Sequence, residues 1–366
     1  MASAGARGYV ENGRRPYAPL LSETTPLLSE THTPALSHVG CSPPDRRPNT
    51  RQLPRTTPKS APLQPLMGIA AGRSGLPRTR LMQIVMDTDK LTDEVLRAYE
   101  RTPDPRLREL LAALIKHLHA FAVETSLTTQ EWIDGINFLT AVGHKCDPQR
   151  QEFILLSDVL GMSSLVETIN AAEGGTEPTV LGPFYLPGAP RKQMGEQIGR
   201  AEDGEPALIR GLVTDTHGHP LTGATLDVWQ GNANGLYDIQ DAAQPEFNLR
   251  GVFTTGPDGA YSFRTIRPVS YPVPIDGPVG DIFRASGRHN WRAAHVHAIV
   301  SAPGYRPVTT HIFDSQNEYL SSDAVFGVRD SLVQEFRPPG ASDPNDVKYV
   351  VDVDFVLAPE PAGRRA

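Results

Sequence analysis

Apolar residues change their spacing along this chain, and the changes divide it into segments. Over residues 1–80 they follow no period: the stretch holds 12 of the 34 prolines, and Tyr9 and Tyr17 are its only aromatics. Such a segment cannot bury enough apolar surface to offset its chain entropy, which predicts a disordered low-complexity tail. A Pro-Leu-Leu-Ser-Glu repeat at 19–23 and 26–30 has the form of an acidic dileucine sorting signal, although a chance repeat in a biased tail is the simpler reading. From about 84 the spacing becomes helical. Thr92-Asp93-Glu94 predicts the start of a short helix with a capping threonine and early acids. Leu107, Leu110, Leu111, Leu114, Ile115, Leu118 and Phe121 keep the i, i+3, i+4, i+7 rule of an amphipathic helix. Thr128 with Glu131 matches a capping box ahead of Trp132, Ile133, Ile136 and Phe138. Two more helices are expected over 149–160 and 163–172.

Beyond Gly174-Gly175 the period drops to that of strands. ALIRGLVTD, ATLDVWQG, RGVFTT, AYSFRTI, AHVHAIVS, VTTHIF and YVVDVDFVL are short β-rich runs, separated by turn signals such as Asp215-Thr216-His217-Gly218 and Gly256-Pro257-Asp258-Gly259. Many short strands without alternating helices predict an antiparallel β-sandwich. The expected fold is therefore mainly β with an α-helical N-terminal segment. Its parts are a tail (1–80), a helical segment (84–173), a β-sandwich (174–340), and a final strand with a short disordered C-terminus (341–366).

Composition narrows the function. A net charge of −7 and a pI near 5.9 argue against a nucleic-acid partner, which would need a basic face. Cys41 and Cys146 lie in regions of different character, so no disulfide is expected and a reducing, cytoplasmic setting fits. No apolar run approaches the ~18 residues of a membrane span, and the N-terminus lacks the apolar core of a signal peptide.

Three His-x-His patterns offer candidate metal chemistry. His117 and His119 fall in a helical run, where residues i and i+2 diverge. His217 and His219 fall in a turn. His295 and His297 fall in a strand, where i and i+2 share a face and both imidazoles can converge on one ion; a packed histidine couple has the same spacing. Tyr237 and Tyr271 precede that strand. Phenol becomes a metal ligand when a hard trivalent cation depresses its pKa, which points to Fe(III) rather than zinc or magnesium. Spacing does not single out these two among the ten tyrosines.

Several ordered motifs do single them out: LGPFYLPGAP (181–190), GLVTDTHGHPLTGATLDVWQGNANGLYDIQ, FRTIRPVSYPVPIDGPVG, WRAAHVH and YLSSDAVFGVRDSLV. From about Asp87 to Phe336 the chain resembles the intradiol aromatic-ring dioxygenases, nonhaem Fe(III) enzymes with a two-Tyr, two-His ligand set. RQEFILLSDVLG, the run at 271–280 and DAVFGV make it most similar to hydroxyquinol 1,2-dioxygenases, with catechol and chlorocatechol 1,2-dioxygenases as near relatives. The resemblance implies that Tyr237, Tyr271, His295 and His297 bind one Fe(III) per subunit, with Tyr271 the ligand that leaves when substrate arrives. It implies that Arg292 stabilises charge developing on the ring, and that His311 stands behind the ligands where catechol enzymes often carry glutamine. Ala293 replaces the proline usual before Ala-His-Val-His.

The implied substrate pocket comprises Leu155, Asp158, Val180, Leu181, Gly182, Pro183, Phe184, Val273, Pro274 and Val325. Asp158 is expected to read the third hydroxyl of hydroxyquinol; a helix-surface aspartate is the plainer alternative. The implied partners are a small aromatic diol or triol and O2, a second subunit docked through the helical segment, and a lipid at that interface. A noncatalytic prealbumin-like sandwich module is the competing class, suggested by VTDTHGHPLTGATLDVW alone.

Overall fold

Residues 78–147, 150–200 and 203–361 are described by the structure, a computed structural model, with side chains described from Thr88 onward. Cys41, the Pro-Leu-Leu-Ser-Glu repeat and nearly all of the expected tail lie outside the described residues. Helix α1 spans Arg78–Tyr99, so it begins before 84 and does not start at Thr92. The Thr92 hydroxyl donates to the Thr88 carbonyl one turn back and meets His119 Nδ1 at 2.8 Å. A mid-helix threonine that bonds backwards and sideways is not a cap. Helix α2 (Pro105–Glu124) is capped by Asp104, whose Oδ1 accepts from the Arg106 and Leu107 amides. Helix α3 (Thr129–Lys145) carries the expected Thr128–Glu131 capping box. Helices α4 (Glu152–Val159) and α5 (Met162–Asn170) match the two expected after it.

The helical stripe is amphipathic but stays uncovered in the single chain. Leu110, Leu114, Leu118 and Phe121 of α2, with Trp132 and Ile136 of α3, are each 47–56 % exposed. Val142, near the end of α3, is buried in a cluster with Leu155 and Val159 of α4 and with Val279 and Phe283.

The strands are β1 (Pro206–Asp215), β2 (Thr225–Trp229), β3 (Arg250–Thr254), β4 (Ala260–Ile266), β5 (Tyr271–Pro272), β6 (Trp291–Arg292), β7 (His295–Ser301), β8 (Val308–Asp314), β9 (Val333–Gln334), β10 (Tyr349–Asp352) and β11 (Phe355–Leu357), with helix α6 (Pro278–Ser286) between β5 and β6. One sheet runs β3-β2-β7-β8-β9; the other joins β4, β10 and β11 to β1; β5 and β6 form a separate ribbon. Most pairs are antiparallel as the patterning predicts, but β10 and β11 run parallel to β1, and β9 runs parallel to β8. The run YVVDVDFVL is two strands, because Val353 and Asp354 turn out of the ladder. Val353 N donates to the Arg210 carbonyl, and the Asp354 carboxylate accepts from Leu212 N.

The sandwich core explains the placement of the histidines. Val296, Ala298 and Val300 of β7 enter the main core with Leu226 and Val228 of β2, Phe253, Phe263 and Ile312 of β8. Period-two alternation then sends His295 and His297 to the opposite face of the sheet. The register aligns Trp229, His297 and His311 across β2, β7 and β8.

Candidate metal centre and substrate pocket

Four heteroatoms meet on that outer face. Tyr237 Oη lies 3.1 Å from Tyr271 Oη and 2.9 Å from His297 Nε2, and His297 Nε2 lies 3.1 Å from His295 Nε2. All four side chains are at most 4 % exposed. Tyr237 is held by the 3-10 turn Asp238–Gln240 that follows it: its amide donates to Gln240 Oε1, and Asp238 forms a buried ion pair with Arg250 at 2.6 Å. Tyr271 arrives on β5, opposite Arg292 of β6.

The imidazole protons are accounted for. His295 Nδ1 donates to the Ala293 carbonyl at 2.6 Å, leaving Nε2 with its lone pair. His297 Nδ1 lies 2.7 Å from His311 Nε2. A proton donated along that contact leaves His297 Nε2 unprotonated as well. Burial pushes all three imidazoles well below their usual pKa, so they are neutral near pH 7. The two Nε2 atoms lie 3.1 Å apart, each beside a further polar group, Arg292 Nη1 at 3.1 Å from His295 and Tyr237 Oη at 2.9 Å from His297; a cation held between them would take both lone pairs. Burial also pushes the Tyr237 phenol well above its usual value, a cost that a hard trivalent ion reverses by holding the phenolate. The donor set therefore fits a buried ferric ion. The three imidazoles also offer nitrogens within 4.8 Å of one another, but the His311 Nε2 is engaged by His297, which gives His311 an orienting position behind the cluster.

Arg292 is buried beside the cluster, with Nη1 3.1 Å from His295 Nε2 and 3.4 Å from Tyr271 Oη. Burial opposes its charge, yet the nearby Asp323 carboxylate raises its pKa above the ordinary value. Trp229 stacks on His297 with ring centres 4.6 Å apart and planes within 10°. The 180–184 loop closes over the same ring. Gly182 adopts φ +76°, and a Cβ there would stand 3.3 Å from His297 Cε1, so a side chain would be strained and crowded.

The expected pocket residues separate into two neighbouring groups. Leu155, Val180, Val273 and Val325 pack in one buried cluster with Val159, Val279 and Phe283. Phe184, with Leu181 against it, packs with Trp229, Tyr237 and Tyr271. Gly182 is buried, while Pro183 and Pro274 are half-buried. Asp158 is 1 % exposed, and its Oδ1 has no hydrogen-bond partner among the described residues. The surface-aspartate alternative is thereby removed. Burial pushes the Asp158 carboxyl up to about 6, against the Ser163 hydroxyl and the charge of Arg292, which pull it down. Helix α4 is secured over the site by Glu152, fully buried, which accepts from the Val279 amide and pairs with Arg150.

The other histidine pairs behave as controls. His117 and His119 sit on α2, and His219 is a turn residue paired with Asp215 at 3.0 Å. Sequence reasoning missed Asp323, Trp229 and the Arg250–Asp238 pair. Asp323 stood within a quoted motif, but an acid in a loop of small residues carries no period that would mark it.

Comparison with known proteins places this geometry in a family. Residues 180–359 match the family model described as "Dioxygenase", and residues 104–176 match "Catechol dioxygenase N terminus". The chain is 46 % identical to the 6-chlorohydroxyquinol 1,2-dioxygenase of Cupriavidus pinatubonensis, over 75 % of this chain and 98 % of that protein. It is 40 % identical to the catechol 1,2-dioxygenase of Candida albicans, over 74 % and 92 %. The crystal structure of hydroxyquinol 1,2-dioxygenase from Pseudomonas putida DLL-E4 superposes with a TM-score of 0.69 at 45 % identity, covering 75 % of this chain and 100 % of that one. No helix among the described residues is long and apolar enough to cross a membrane. Matched along most of its described length and carrying a buried His/Tyr cluster that implies nonhaem iron, the chain belongs to the intradiol ring-cleaving dioxygenases.

Proposed function

We propose that this protein is a hydroxyquinol 1,2-dioxygenase, which inserts both atoms of O2 into 1,2,4-trihydroxybenzene to give 3-hydroxy-cis,cis-muconate, a tautomer of maleylacetate. The observation that carries this reading is the meeting of Tyr237, Tyr271, His295 and His297, with Asp158 buried within electrostatic reach of Arg292. Relatives named hydroxyquinol 1,2-dioxygenase at 46 % identity support it, among them that of Rhizobium sp..

Those four side chains would hold one Fe(III) per subunit, and the nonhaem iron would supply Lewis-acid chemistry toward a bound diol. Tyr237, tied down by its turn, remains in place. Tyr271 moves away when substrate enters and takes one of the diol protons on its Oη, where Arg292 Nη1 lies 3.4 Å away. Arg292 then balances negative charge on the ring in a site from which water is excluded. His311 keeps His297 in the Nδ1-protonated tautomer. Leu155, Val180, Val273 and Val325 form the walls against the flat ring, and the free Asp158 oxygen accepts the hydrogen bond of the third hydroxyl.

The exposed stripe of α2 and α3 supports a homodimer joined through the helical segment, with a lipid filling what two helical faces leave open. Cys146, free among the described residues, supports a reducing, cytoplasmic setting. A panel of hydroxyquinol, catechol and 4-chlorocatechol tests the substrate. Hydroxyquinol is expected to have the highest kcat/KM; a higher value for either catechol would assign the protein to the catechol or chlorocatechol branch.

A further inference from the structure

We propose that Asp323 is a positioning residue for Arg292, fixing the orientation of the guanidinium beside the reacting ring. The inference rests on the reading of Arg292 given above and adds a residue which that reading does not contain. Both side chains are buried, Arg292 at 2 % exposure and Asp323 at 4 %. Asp323 is the one carboxylate in ion-pair contact with Arg292 among the described residues, with Oδ1 3.3 Å from Nε.

The carboxylate is gripped from two segments. Oδ1 also accepts from the Ala293 amide at 3.2 Å, and Oδ2 accepts from the Gly327 amide at 2.8 Å. The Gly327 carbonyl in turn accepts from the hydroxyl of Thr179, which is fully buried, at 2.6 Å. Asp323 thus joins the start of the ligand strand to the loop that carries Val325. A planar guanidinium held at its Nε edge cannot rotate about its long axis, and this directs Nη1 at Tyr271 Oη and His295 Nε2. Glycine at 327 leaves room for the remaining nitrogen: a Cβ there would come within 3.0 Å of Nη2. A guanidinium in a dry site also requires a counter-charge that does not compete for the face turned to substrate, and Asp323 meets it at Nε.

A purely structural staple would use the same bonds to the Ala293 and Gly327 amides, so the test must separate the two roles. Asp323→Asn keeps the side-chain shape and one acceptor oxygen while removing the charge, and it sets an NH2 against one of the backbone amides that the carboxylate accepts from. With hydroxyquinol, kcat is expected to fall roughly ten- to a hundredfold. Iron content and the Kd for hydroxyquinol measured without O2 are expected to stay near wild type, while the urea unfolding midpoint falls alike with and without Arg292 because one buried amide loses its acceptor. On an Arg292→Met background the same change is expected to lower kcat no further, because the group it positions is absent. Equal losses of kcat in both backgrounds, or wild-type kcat in Asp323→Asn, would overturn the proposal. Wild-type kcat in Arg292→Met would overturn the reading of Arg292 instead.

Asp323→Ala supplies a second arm, since a cavity of about 540 Å³ lined by Arg288, His289, Leu320 and Phe326 reaches Asp323 from outside. Formate is expected to restore kcat by at least about tenfold in this variant, saturably, and only when Arg292 is present. Neutral formamide is expected to restore nothing. Equal recovery with both, or with neither, means that the charge on Asp323 does not act through Arg292.

Discussion

Asp158 is asked to read the third hydroxyl, and its burial makes the idea testable in two independent ways. Replacing it with alanine removes one hydrogen bond to a charged acceptor, worth roughly 1.5–3 kcal/mol, or about ten- to a hundredfold in kcat/KM for hydroxyquinol. Catechol has no group at that position, so its kcat/KM is expected to change far less. Stability should move the other way. Burial raises the carboxyl from 3.8 to about 6, so the folded protein binds more protons than the unfolded chain between those values. Stability attributable to this group therefore falls as pH rises from about 4 to about 6, then levels off. The gap corresponds to about 3 kcal/mol at 1.36 kcal/mol per pH unit, an upper figure for a carboxylate that substrate has not yet met. Asp158→Asn, which cannot ionise, should be more stable than wild type at pH 7.5 and should lose that slope in urea titrations of the apoprotein. Equal losses for both substrates, together with a less stable Asn variant at pH 7.5, would refute the reasoning: Asp158 would then anchor α4 and not read the ring.

Tyr237→Phe and His297→Ala are each expected to abolish bound iron, the reddish-brown phenolate-to-Fe(III) absorption and turnover; colour retained at full iron content in either would remove that residue from the ligand set. His117→Ala and His219→Ala, on the helix and the turn, should keep wild-type iron content by metal analysis. His311→Ala is expected to weaken iron binding roughly ten- to a hundredfold in chelator competition, with His311→Gln closer to wild type because an amide can still accept from His297 Nδ1. Leu114→Asp with Leu118→Asp places two charges on the exposed stripe of α2 and should shift the protein from dimer to monomer by sedimentation; an unchanged dimer would locate the interface elsewhere.

What the sequence by itself determined about this protein is what local periodicity encodes. The capping box at Thr128–Glu131, the stripe of α2 and most strand runs follow from spacing alone, since backbone geometry makes neighbours of residues at i+2, i+3 and i+4. The same period turned His295 and His297 to one face, because Val296 and Ala298 had to enter the core. Local pattern misplaced the start of α1, where a mid-helix Thr92 has the residue type of a cap, and read β10 and β11 as one strand.

Only the tertiary structure decided what depends on partners far apart in the chain. Nothing near Tyr237 or Tyr271 marks them among ten tyrosines; family motifs, not spacing, singled them out. Their hydroxyls meet because a 3-10 turn holds one and the pairing of β5 with β6 holds the other. Spacing leaves Asp158 open between a pocket position and a helix surface until its burial is seen, and Asp323 acquires meaning only from donors at positions 292, 293 and 327. Burial and hydrogen-bond partnership are set by which surfaces meet, and a period of two or 3.6 residues carries no record of that meeting.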